Sequence, residues 1–136
     1  MEKYLLIAGS LPFIILGLIH LVYTFFSKKL TARDNKLNEE MKISFPVLTK
    51  DTTMWKSWIG FNASHSAGAI YFGLVNLLLA ILYPSLLQNP LLQLINISTA
   101  FFYVWLAKKY WFRIPFIGMA SSFFCFLLAS FSNMLS

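Results

Sequence analysis

Four apolar runs constrain this chain more than anything else in it. They cover about residues 4–26, 54–83, 91–107 and 114–135 of 136, and the only long polar segment, about 27–53, separates the first two. At ~1.5 Å rise per residue, helices built from such runs match a bilayer core of ~30 Å, with flanking aromatic residues extending the shorter ones into the interface. Composition agrees, since 58% of residues are hydrophobic and 12% charged, about half the roughly 25% charged share of a soluble domain. The expected fold is therefore all-α. It is an antiparallel bundle of four transmembrane helices forming a single integral membrane domain, with a short amphipathic cytoplasmic helix. The first run is too long for the apolar part of a signal peptide and no small-residue cleavage site follows it, so it is expected to remain as a helix.

Charge sets the expected orientation. Lys28, Lys29, Arg33, Lys36, Lys42, Lys50 and Lys56 lie in or beside the segment between the first two runs, and Lys108, Lys109 and Arg113 beside the turn between the last two. Ten of the eleven basic residues thus fall on one side, with only Lys3 opposite. The positive-inside rule makes that side cytoplasmic and puts both termini outside. A net charge of +6 distributed next to membrane segments points to membrane lipids, and to other membrane proteins, as partners, and not to nucleic acid. A single cysteine, Cys125, allows neither an internal disulfide nor a CxxC pair.

Within the polar segment, Thr31 followed by Asp34 resembles a capping box with Asp in place of Glu. Leu30, Leu37 and Met41 then share one side of a short surface helix, which Pro46 should end. Asp51, Thr52 and Thr53 are candidates to cap the second span. Pro12 is expected to bend the first span.

The second run, from Met54 to Asn76, is studded with Ser57, Gly60, Asn62, Ser64, His65, Ser66, Gly68 and Gly73. In hydrocarbon, small residues let backbones approach and polar ones bond between helices. Gly60, Ser64 and Gly68 recur every four residues, so this helix is expected at the centre, enclosed by its neighbours.

Depth counting singles out a polar level. His20 is eight residues from Lys28 and His65 nine from Lys56, which sinks both by roughly 12–14 Å. Thr99 is nine residues from Lys108, and Ser122 nine from Arg113. Thr24, one turn beyond His20, shares its face. The candidate ligand-binding set is His20, Thr24, Asn62, Ser64, His65, Thr99 and Ser122, because ionisable residues inside membrane spans mark functional sites by default.

Several chemistries compete for that set. Neutral imidazoles can simply bond with Asn62, Ser or Thr and fix the register of the bundle, as in a structural subunit of a larger complex. Polar groups converging in an apolar surrounding can instead hold a small apolar ligand, quinone-like or lipid-like, through its carbonyl. His20 and His65 could also be the axial ligands of a b-type haem in an electron-transfer component. Against haem, the small residues of the second span favour close backbone approach. Zinc lacks ligands, since a closed site wants four. Nucleophilic catalysis lacks a carboxylate to orient a Ser–His dyad, and no Asp, Glu, Lys or Arg lies within the core of any span to couple ion transport. No catalytic residue is assigned.

Gly17-Leu18-Ile19-His20 in the first span, together with MWKSWIGFNASHSAG in the second, resembles a family of small, uncharacterised bacterial four-helix integral membrane proteins carrying a GFNxSHSxG-like motif. The resemblance covers Gly17 to about Gly73. It implies the four-helix fold and a place in the bacterial cytoplasmic (inner) membrane, and it brings no reaction with it.

Overall fold

The computed structural model describes residues 1–134. Among these residues there are five α-helices and no strand: α1 (Glu2–Phe26), α2 (Asn35–Ile43), α3 (Met54–Leu82), α4 (Pro90–Tyr110) and α5 (Arg113–Met134), with a 3₁₀ turn at Pro84–Gln88. The protein is an all-α helical bundle. Helices α1, α3, α4 and α5 are each long and apolar enough to cross a membrane, and their limits fall within three residues of the expected spans. Leu135, expected in the last span, lies outside the described residues.

The punctuation is local chemistry. Asp34 caps α2 by accepting from the Lys36 backbone N–H at 2.9 Å, so the expected Thr31–Asp34 box does not form. Thr31 turns its hydroxyl onto the Lys28 carbonyl at 2.8 Å instead, because it lies three residues outside the helix. Thr53 starts α3 by accepting from Lys56 N–H at 3.3 Å, while Asp51 bonds Thr49 at 3.0 Å. Asn89 caps α4, accepting from Leu91 N–H at 2.9 Å, with Pro90 at the position that needs no backbone donor. Helix α1 continues through Pro12.

The chain divides into two compact units. One consists of Met1–Leu16 and the chain from Ala69 onward, the other of Gly17–Gly68. In the first, the N-terminal part of α1, the C-terminal part of α3, α4 and α5 share an apolar core. Phe13, fully buried, meets Phe72 edge-on at 4.7 Å and Tyr103 at 5.1 Å, and Phe72 meets Phe126 at 6.0 Å. Such pairs add about 0.5–1.5 kcal/mol each beyond their burial. Ala80, Ala100 and Ala129 are buried in the same core. At Gly73 two helix backbones approach each other closely. A methyl group there would lie 2.7 Å from Ile14 Cγ1, 2.9 Å from the Ser10 carbonyl oxygen and 3.0 Å from Phe13 Cβ.

This overturns the expected centre. Gly60 and Gly68 are exposed, and a methyl at Gly60 would meet nothing within 4 Å. The tight contacts of α3 belong to its C-terminal half, where Gly73 faces α1, and the first half is not enclosed.

In the second unit, the C-terminal part of α1 and the N-terminal part of α3 are joined by α2 and its flanking loops. The Trp58 indole N–H donates to the Leu30 carbonyl at 3.2 Å. Asn38 clasps Ala32, accepting from its N–H at 3.0 Å and donating to its carbonyl at 2.9 Å. Met54 N–H donates to the Ser44 carbonyl at 2.9 Å. Both ends of α2 are thereby tied down.

Candidate functional site

The two histidines of the chain meet in the second unit. His20 on α1 and His65 on α3 are both half-buried, with ring centroids 5.7 Å apart and planes inclined by 78°. The depth count from the lysines had put them at one level, and the side chains complete the pairing.

Asn62 organises the site. Its amide Nδ2 donates to the Trp58 carbonyl of its own helix at 2.8 Å, which turns Oδ1 toward α1. His20 Nε2 lies 2.8 Å from that oxygen. An amide oxygen only accepts, so the imidazole carries its proton on Nε2 and donates. Residue 58 lies one turn before residue 62, which makes the Trp58 carbonyl the group that orients the amide.

A hydroxyl one turn beyond each partner completes the arrangement. Thr24 Oγ1 donates to the His20 carbonyl and Ser66 Oγ to the Asn62 carbonyl, both at 2.8 Å, and both residues are buried. Such back-bonding satisfies the hydroxyl proton within its own helix and leaves the oxygen lone pairs free to accept.

A narrow cavity of about 30 Å³ adjoins Thr24 and Asn62 on the side of the polar loop. Thr24, Ser27, Thr31 and Asn62 supply its polar wall, Trp55 and Trp58 its aromatic one. At about 10–15 Å³ per enclosed water centre, it has room for roughly two waters, and its polar groups can bond them.

The structure brings together four of the seven candidate residues: His20, Thr24, Asn62 and His65. Ser64 is a correction. It is exposed and gives its hydroxyl to the Phe61 carbonyl at 3.1 Å, because two residues along a helix turn it by roughly 200° from Asn62. Thr99, half-buried on α4, and Ser122, buried on α5, belong to the other unit, where the Ser122 hydroxyl has no hydrogen-bond partner. Ser66 and Trp58 take part in the site without having been among the candidates. The four-residue spacing 58–62–66 was the available signal, since it is the period of back-bonding along a helix.

Bis-histidine haem ligation does not suit this geometry. A macrocycle must lie between its two axial ligands, yet the rings touch edge to face and His20 Nε2 is engaged by Asn62. Among the described residues, no three of His, Cys, Asp and Glu come together as a metal-binding group.

No family model matches this chain, and neither a curated protein nor a solved structure shows significant similarity to it.

Proposed function

We propose that this is a multi-pass protein of the bacterial cytoplasmic membrane, with both termini outside, that binds a small carbonyl-bearing amphiphile, quinone-like or lipid-like, at His20, Asn62 and His65. The four apolar helices and the ten-to-one charge bias support the topology. The resemblance in the first two spans supports the choice of membrane.

One observation carries the ligand reading: Asn62, whose amide oxygen lies 2.8 Å from His20 Nε2, also lines a cavity together with Thr24, Ser27 and Thr31. An imidazole N–H held by an amide oxygen can exchange that oxygen for a ligand carbonyl, one hydrogen bond for another, at little net cost. The apolar remainder of the ligand then lies against Trp55 and Trp58. A register-fixing pair needs no such opening to the surface.

The two tryptophans make the test simple. In protein held in nanodiscs, with Trp105→Phe and Trp111→Phe, only Trp55 and Trp58 fluoresce. Titrated decylubiquinone should quench them saturably, and Asn62→Ala or His65→Gln should abolish the saturable part. Quenching that rises linearly and identically in all three proteins is partition into the bilayer, and would leave the histidine pair as a structural clasp.

A further inference from the structure

A second cavity lies beside the first. It is an open groove of about 280 Å³ between α2 and the start of α3, walled by Leu30, Ala32, Met41, Trp55 and Trp58, with Thr31 and Asn38 at its edge. The Asn38–Ala32 clasp and the Trp58–Leu30 bond fix the residues that line it to one another, so the groove is built into the fold. Its size approaches the ~300 Å³ lower bound of small-molecule sites, enough for part of a long molecule.

Charge says what kind of molecule. Within Gly17–Gly68 there are seven basic and four acidic residues. Four walls of the groove each have a basic chain neighbour: Lys29 beside Leu30, Arg33 beside Ala32, Lys42 beside Met41 and Lys56 beside Trp55. The only ion pairs among the described residues are Lys36–Glu40 and Lys42–Glu39, so Arg33 and Lys56 have no carboxylate partner. At the end of α2 and beyond it, Ile43, Phe45, Val47 and Leu48 are exposed, Val47 wholly so. A loop that presents apolar side chains between Lys42 and Lys50 fits the boundary between headgroups and acyl chains better than water.

An apolar groove whose lining residues adjoin Arg33 and Lys56 in the chain, at that boundary, suits an amphiphile with an anionic head. We propose that it seats one anionic phospholipid, its phosphate at Arg33 and Lys56 and the start of an acyl chain against Met41, Trp55 and Trp58. This rests on the membrane reading of the four helices and not on ligand binding at His20 and Asn62.

Native mass spectrometry of the intact protein from micelles with equal phosphatidylglycerol and phosphatidylcholine tests it. Wild type should retain one phosphatidylglycerol in preference. Arg33→Gln or Lys56→Gln should cut that preference by ~5-fold each, the equivalent of the ~1 kcal/mol that one basic residue contributes near an anionic surface. Ala32→Leu, which fills the groove and leaves the charge unchanged, should abolish retention. Lys108→Gln with Lys109→Gln, which removes two interfacial charges elsewhere, should change nothing. Equal loss in that pair, retention surviving Ala32→Leu, or equal retention of both lipids in wild type would each overturn the site. Saturable quinone quenching that persists when the lipid preference is absent would separate this failure from that of the histidine centre.

Discussion

Replacing glycines one at a time by alanine should sort them by what the added methyl would meet. In an exposed helical position, Gly→Ala gains up to about 1 kcal/mol from helix propensity alone. Gly60 is such a position, with nothing within 4 Å of the new methyl, so Gly60→Ala should be neutral or stabilising. Gly73 has the same propensity gain to offer, but its methyl would sit 2.9 Å from the Ser10 backbone oxygen and 2.7 Å from Ile14. Backbone cannot swing aside, and overpacking costs about 1–3 kcal/mol, so Gly73→Ala should lose about 1–2 kcal/mol net. Gly9 lies between them, its methyl 3.1 Å from Cys125 Cβ and from the Phe126 ring, and should lose less than Gly73. Unfolding in mixed detergent micelles, followed by far-ultraviolet circular dichroism, reads the order directly. A Gly60→Ala protein as unstable as Gly73→Ala, or more so, would refute the assignment of the tight packing to the second half of α3.

Ser122→Ala should be neutral or stabilising by up to about 1 kcal/mol, because the buried hydroxyl it removes has no partner; the same unfolding assay checks it. Asp34→Ala should cost α2 about 1 kcal/mol by removing its N-cap, seen as faster amide hydrogen exchange in residues 35–43 with α4 unchanged. In a Cys125→Ala background, a cysteine at exposed Asn35 should react with an impermeant thiol reagent only from the cytoplasmic side and one at exposed Ser85 only from outside. The reverse pattern would invert the topology.

The fold was legible because its causes are local: run length, charge placement and proline at the turn between α3 and α4 each act within a few residues. The histidine pairing was legible for a related reason, since charged residues at the membrane boundary give a common origin from which depth can be counted along two helices. What could not be read was direction around the helix axis. The stripe Gly60, Ser64 and Gly68 has the spacing of a close helix contact, but spacing does not reveal whether a neighbouring helix is there, and none is. Gly73, on the buried face of Ser66, Ala69, Asn76 and Ala80, meets backbone there because the partner atoms come from Ser10, Phe13 and Ile14, some sixty residues away. Ser64 misled for the same reason. Its chemistry matched Asn62, while its position two residues on turned it to the opposite face.

The shared polar centre can be observed atom by atom. Nitrogen-15 NMR of the histidine side chains, in otherwise unlabelled protein, distinguishes the two ring nitrogens of His20 and His65 without altering either. The geometry predicts that His20 carries its proton on Nε2, where Asn62 Oδ1 accepts it, and that saturating decylubiquinone shifts the nitrogens of both rings together. A His20 proton on Nδ1, or ring signals that do not move at saturation, would contradict a ligand site built on this pair.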